Sequence, residues 1–309
     1  MQQDNIEFTA SDGFALHVHC WRPDGPARAV VQIAHGMAEH GARYAGFASA
    51  LAAQGYAVYA DDHRGHGLSV RSAEDLGWFA ERAGWQRVVD DLWQLNRKIA
   101  EIHPGLPIAF FGHSMGSFLG QQFMSEHGAA LAAVVLCASN GPPGPRATLG
   151  RLVAQLERYR LGPKGRSALL NQMSFGEFNK PFQPARTAFD WLSRDPAAVD
   201  SYIADPLCGF VCGTDLWVEL LTALPKLATP EALARIPKGL PILVIAGTKD
   251  PVSAGTRGLM PLFEAYKKAG LERVEHIFYA DARHEILNET NREQVIADVI
   301  DWLARQFRV

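Results

Sequence analysis

The sequence predicts an α/β protein: a mostly parallel central sheet flanked by helices, interrupted by an inserted helical cap. Three observations carry that expectation. Short runs rich in Val, Ile and Ala alternate with longer segments whose apolar residues recur at the helical period. The short runs are apolar throughout rather than at every second position, as strands covered on both faces require. The alternation stops after Ala138 and resumes at Pro241, with helical stretches and turns but no convincing strand between.

Taken in order, Ile6 to Arg22 alternates apolar and polar residues around Ser11-Asp12-Gly13, which predicts an antiparallel hairpin turning at Asp-Gly. Ala29–Ala34 (AVVQIA) is a buried strand, Tyr44–Ala53 a helix closed by Gly55, and Tyr56–Ala60 the next strand. In Trp85–Ala100 the residues Trp85, Val88, Val89, Leu92, Trp93 and Ile99 share one helical face. Strand Pro107–Gly112, helix Met115–Glu126 and strand Ala132–Ala138 follow. Pro142-Pro143-Gly144-Pro145 opens the irregular segment and Pro237-Lys238-Gly239 closes it. Strand Pro241–Gly247, helix Gly258–Lys268, strand Val274–Tyr279 and a C-terminal helix with Ile296, Val299, Ile300, Leu303 and Phe307 on one face complete the chain. The expected domains are therefore a core of residues 1–139 and 237–309 and a helical cap of 140–236.

Composition narrows the function classes without naming one. The 309 residues are 48% hydrophobic and 20% charged, which is ordinary for a globular chain and excludes disorder. A formal net charge of −3 offers no basic footprint for nucleic acid, so no nucleic-acid partner is expected. The longest apolar run, Ala129 to Ala138, is half of what a membrane helix needs. MQQDNIEF at the start has neither a basic nor an apolar leader region, and Cys20, Cys137, Cys208 and Cys212 form no disulfide framework. Buried thiols in a reducing, cytoplasmic setting are expected.

The chemistry is concentrated in Gly112-His113-Ser114-Met115-Gly116, a GxSxG pattern between a predicted strand and a predicted helix. A sharp turn there lifts the serine hydroxyl out of the sheet, and the glycines remove side chains that such a turn cannot hold. The following helix points unpaired N–H groups at developing charge. A hydroxyl needs a base, and the base needs an orienting acid. Asp250, after the strand ending at Gly247, and His284, after the strand ending at Tyr279, lie at strand carboxyl ends in the required chain order. Asp281 is too near His284 to reach it from a separate loop, Asp215 lies in the cap, and His276 is expected to be structural. His103 and His127 read as solvated helix-end histidines. Oxyanion donors are expected from the Met115 N–H and from the loop His35–His40, where Met37 is assigned. His35 and His40 are five apart and no HExxH occurs, so no metal site is expected there; Asp61 to Gly67 reads as a structural turn.

HGMAEHGARY (35–44), DDHRGHGLS (61–69), GHSMGS (112–117), the Asp250 and His284 contexts and LSRDPAAVDSYIADPLC (192–208) resemble the monoacylglycerol lipase and lysophospholipase group of the α/β-hydrolase superfamily. The resemblance spans nearly the whole chain. It implies the α/β-hydrolase fold, a Ser114–Asp250–His284 triad, Met37 and Met115 as oxyanion donors, and no cofactor or metal. It also implies that Glu39, Arg43 and Tyr202 hold the polar head of the leaving alcohol. Met37 stands where the lipase usually has a small residue, and the cap diverges after Cys208.

The expected reaction is two-step hydrolysis of a small lipid ester of monoacylglycerol or lysophospholipid type. The cap carries Phe175, Phe178, Phe182, Phe189, Trp191, Phe210 and Trp217, with Leu149, Leu152, Val153 and Leu156 at helical spacing. These residues suit both packing onto the core and an apolar acyl tunnel, and the outer helices are expected to touch membrane or micelle surfaces transiently. An amidase or aminopeptidase of the same fold is the alternative, and would require an acidic cluster in the cap. The cap acids Glu157, Glu177, Asp190, Asp195, Asp200, Asp205, Asp215 and Glu219 are scattered. A non-catalytic binding protein would have lost a triad member, and none is missing here. Serine at the nucleophile position argues against dehalogenase and epoxide-hydrolase chemistry, which use aspartate.

Overall fold

The structure is a computed structural model that describes residues 1–307; Arg308 and Val309, the end of the expected core range, lie outside the described residues. The eight strands are β1 (Gln2–Thr9), β2 (Ala15–Arg22), β3 (Ala29–Ala34), β4 (Tyr56–Asp61), β5 (Ile108–His113), β6 (Ala133–Cys137), β7 (Ile242–Gly247) and β8 (Val274–Tyr279). They form one sheet in the order β1-β2-β4-β3-β5-β6-β7-β8. The hairpin β1–β2 and the β2–β4 pair are antiparallel, and every later pair is parallel. β3, β4, β5, β6 and β7 are buried at every residue, which accounts for their unbroken apolar sequences.

Two apolar layers sandwich the sheet. On one face lie α1 (Ala45–Ala53) and α10 (Arg292–Gln306), whose Phe47, Leu51, Val295, Val299 and Trp302 pack onto Val31, Phe111 and Ile245. On the other lie α2 (Gly84–Ile102), α3 (Met115–His127) and α9 (Met260–Lys268), which bring Val88, Leu92, Leu119, Phe123 and Leu262 onto Phe110, Leu136 and Val244. Each side chain of this size is worth about 1.5–3 kcal/mol when fully buried. The amphipathic stripes therefore fix which face of each helix meets the sheet.

Between β6 and β7 there is no strand among the described residues. That stretch contains α4 (Pro145–Leu161), α5 (Ala168–Asn171), α6 (Pro196–Ala204), α7 (Thr214–Ala223) and α8 (Pro230–Ala234). Trp217, Leu216 and Leu220 of α7 join the core layer of α2 and α3, so the helical segment is packed onto the core by apolar contact. Strand order reverses at β3: β4 lies on one side of it and β5 on the other. This is the topological switch point, and the connections leaving β3 and β5 face each other across the crevice there.

Candidate active site

β5 ends at His113 and α3 begins at Met115, leaving Ser114 as the whole connection. Its backbone sits at φ 51° and ψ −116°, which a residue bearing a Cβ adopts only when its surroundings hold it. The Ser114 N–H donates to Cys137 O at 2.9 Å, and Ser117 Oγ donates to Ser114 O at 2.6 Å. A Cβ on Gly116 would lie 2.0 Å from Ala34 O, and one on Gly112 would lie 2.3 Å from Gly116 O. The flanking glycines thus let α3 lie against the end of β3.

The hydroxyl finds its partners at the carboxyl ends of β7 and β8. Ser114 Oγ is 2.9 Å from His284 Nε2, and His284 Nδ1 is 2.9 Å from Asp250 Oδ1. Asp250 Oδ1 also accepts the Val252 N–H at 2.9 Å, which orients the carboxylate. Asp250 and His284 are buried. Burial alone pushes the His284 imidazole down, but the charge and hydrogen bond of Asp250 outweigh it, with help from Glu285 and Glu39, and the net shift is upward. Two further rings flank this histidine: Trp191 from the helical segment and His113, each with its centroid 5.0 Å away. His113 is buried and pushed down to about 4 by desolvation, so it stays neutral beside the relay.

The other wall is the connection His35–His40. The N–H groups of Met37 and Met115 have no protein acceptor among the described residues, whereas the N–H groups of Gly36 and Ser114 just before them do. Glu39 Oε1 accepts the Gly36 N–H at 2.5 Å and the Tyr44 hydroxyl at 2.9 Å. Arg43 donates to Glu39 Oε2 at 2.5 Å and bidentately to Glu285 at 2.6 and 2.7 Å. Burial would raise the Glu285 carboxyl, but Arg43 overcomes it and holds the group down to about 2. Tyr202 donates its hydroxyl to Ala38 O at 2.9 Å, and its ring lies under the Arg43 guanidinium at 4.8 Å. Glu39, Arg43 and Tyr202 lie together at the site, with their polar atoms bonded to protein groups. Sequence reasoning misses Glu285, and reads Trp191 only as one of the cap aromatics, not as a neighbour of His284. Glu285 is adjacent to His284, but nothing in the sequence pairs it with a residue 242 positions away.

The polar side chains of the turn Asp61–Gly67 are engaged by protein groups within it and around it. Asp62 accepts the Gly41 and Leu68 N–H groups at 2.7 Å each, Asp61 Oδ2 lies 2.7 Å from His63 Nδ1, and Arg64 is paired with Asp91 and Asp12. Two histidines differ from expectation. His103 and His127 are half-buried rather than solvated, because the Tyr59 hydroxyl meets His103 Nε2 at 2.8 Å and Trp93 stacks on His127 at 4.1 Å. His276 is exposed on the edge strand β8, and all four cysteines are free and buried.

A serine raised at the switch point of such a sheet, hydrogen-bonded in line to a histidine and an aspartate on the loops after β8 and β7, defines the chain as an α/β-hydrolase. Residues 25–291 match the family model described as serine aminopeptidase, S33, and the chain belongs to that hydrolase family. A monoacylglycerol lipase of Mycolicibacterium smegmatis is 31% identical over 303 residues, covering 96% of this chain and 95% of its own length. A monoglyceride lipase of Mus musculus is 28% identical over 302 residues, covering 94% of this chain and 89% of its own. A solved thermostable carboxyl esterase from Bacillus coagulans, in complex with glycerol, matches with TM-score 0.90 at 26% identity over the full length of both chains.

Proposed function

We propose that the protein is a serine hydrolase of carboxylic esters of monoacylglycerol or lysophospholipid type. The observation that carries this is the unbroken relay from the strained Ser114 through His284 to buried Asp250. Ser114 Oγ attacks the ester carbonyl carbon as His284 Nε2 takes its proton, and Asp250 stabilises the imidazolium. The tetrahedral oxyanion is held by the N–H groups of Met37 and Met115. The C–O bond to the alcohol then breaks as His284 returns the proton, leaving an acyl-enzyme. Water, deprotonated by the same histidine, attacks the acyl carbon and releases the fatty acid and Ser114. The chemistry calls on no cofactor.

Glu39, Arg43 and Tyr202 serve this reaction by bracing the loop that carries Met37: Glu39 holds the Gly36 N–H and Tyr202 the Ala38 carbonyl. Residues 140–236 act as the cap over a core of 1–139 and 237–309. Phe175, Phe178 and Trp191 form a continuous aromatic surface beside His284, which suits an acyl chain. The far side of the cap suits a lipid surface. Leu149, Leu152, Leu156 and Tyr159 stand exposed on one face of α4, with exposed Arg151 and Arg160 beside it. No helix among the described residues is long and apolar enough to cross a membrane. The proposed contact is therefore peripheral.

An aminopeptidase, which the family description suggests, would need free carboxylates for an α-amino group. Asp190, Asp195, Asp200, Asp205 and Asp215 are each engaged locally, by the Arg186 N–H, Arg292, Arg186, His40 and Arg158 respectively. The ester reading stands ahead of it. The test is a chain-length series of simple esters beside monoacylglycerol, lysophosphatidylcholine and an aminoacyl-anilide, with wild type and Ser114→Ala. The lipid esters are expected to be preferred, and Ser114→Ala to lose about a million-fold in turnover. Near-normal esterase activity in that variant, or preference for the anilide, overturns the reading. For the lipid contact, sedimentation with vesicles should fall in Leu152→Glu/Leu156→Glu, and unchanged sedimentation refutes it.

A further inference from the structure

Three donors of three chemical kinds meet at the seam between α6 and the His35–His40 connection. The turn Asp205-Pro206-Leu207-Cys208, closed by the Cys208 N–H on Asp205 O at 3.0 Å, brings a carboxylate and a thiol together. His40 approaches from the core, its Nε2 2.9 Å from Asp205 Oδ2. A ring nitrogen of His40, an Asp205 oxygen and Cys208 Sγ all lie within 4.8 Å of one another. We propose that His40, Asp205 and Cys208 form a Zn2+ site that ties the 205–209 turn to the 35–40 connection.

The donor set is the first argument. One imidazole nitrogen, one carboxylate oxygen and one sulfur suit a borderline-soft divalent ion, with water as the fourth ligand. Tetrahedral Zn2+ needs ligand–ligand edges of about 3.4–3.6 Å, so the three atoms require shifts of an ångström or less on flexible side chains. The second argument is the unused thiol. Cys208 is only 9% exposed and its thiol is free of any disulfide. Asp205, with 31% of its side chain exposed, gives the ion a way in from solvent.

Local charge is the third. Glu39, Glu285 and Asp205 are close enough to act on the Cys208 sulfur, against the single guanidinium of Arg43. Three carboxylates against one guanidinium leave the surround net negative, which favours a cation there. The Asp205 carboxylate is also pre-aimed, because its Oδ1 accepts the Leu207 N–H at 2.9 Å. Binding expels the thiol proton to solvent and replaces the His40–Asp205 contact by two metal bonds. The ion adds to two ties already crossing the same seam, the Gly209 N–H and the Tyr202 hydroxyl on Ala38 O. It is a structural tie outside the ester chemistry, and it stands or falls independently of the substrate.

The test uses the metal-stripped full chain. One equivalent of Co2+ is expected to give a thiolate-to-cobalt charge-transfer band with visible bands of tetrahedral intensity, both removed by Zn2+. Cys208→Ser should abolish the charge-transfer band, His40→Gln should weaken binding more than about ten-fold, and Cys20→Ala should leave both unchanged. Zn2+ should raise the thermal midpoint of wild type and Cys20→Ala but not of Cys208→Ser. Absence of the band at stoichiometric Co2+, its survival in Cys208→Ser, or equal thermal shifts in all variants overturns the site. If Cys208→Ser does not fold, the His40→Gln titration decides: unchanged affinity there refutes the proposal.

Discussion

Replacing Arg43 with methionine keeps an unbranched, mostly aliphatic stem and removes the guanidinium with its charge. The guanidinium makes three charge-assisted hydrogen bonds, one to Glu39 and two to Glu285. The side chains are 12%, 4% and 6% exposed, so water cannot take over from Arg43 as it would at a surface pair. An exposed ion pair is worth about 0.2–1 kcal/mol, but stripping one partner from a buried pair costs about 3–5 kcal/mol. With a urea m-value of about 3 kcal/mol/M, the larger figure lowers the midpoint by about 1–1.7 M. The deficit has a pH signature. Glu285 is held down to about 2 from an ordinary 4.5, so its stabilisation is complete above pH 4.5 and fades as pH falls toward 2. The gap between wild type and Arg43→Met should therefore narrow over that window. Adding Glu285→Leu should recover part of the loss, since an apolar replacement leaves one fewer buried charge unpaired. A midpoint change below about 0.3 M at neutral pH, the value of a surface pair, would refute the argument.

Asp250→Asn should retain the fold and lower kcat by about ten-thousand-fold, because an amide holds the wrong tautomer of His284; a loss below ten-fold would remove Asp250 from the relay. The wild-type pH profile should have its acid limb above 6.5. The base is active only when neutral, and Asp250 raises the imidazole from that ordinary value. In Asp250→Asn the residual activity should show the limb moved to lower pH, since burial is then opposed only by the more distant carboxylates. An unmoved limb in the kcat/KM profile would show that another group sets it.

The strands and the three proposed triad positions were readable because each leaves a local mark. A strand buried on both faces is apolar at every residue, and a strained serine turn needs glycine where α3 meets Ala34 and where β5 meets Gly116. Asp250 and His284 follow apolar runs, so the end of a strand announces them. Partners across the fold leave no such mark. Arg43 and Glu285 are far apart in sequence, and neither reads as buried until the other is seen. The half-buried His103 and His127 fail for the same reason. Helical position gave their exposure on an isolated helix, while Tyr59 and Trp93 on neighbouring elements decide it. The family signature located Glu39, Arg43 and Tyr202, but their hydrogen bonds needed coordinates.

The helical segment also supplies backbone to the histidine loop. Trp191 O accepts the His284 N–H at 3.4 Å, Leu192 O accepts the Glu285 N–H at 2.7 Å, and Arg283 reaches the carbonyls of Asp190 and Ser193. The segment is therefore not a module that can be exchanged like a surface loop. A chimera that imports a foreign segment to change specificity must reproduce the course of residues 190–193, or the loop that carries His284 loses its backbone partners. Truncation to the bare sheet and its helices would leave a scaffold on which Ser114 is raised but His284 is no longer held to meet it.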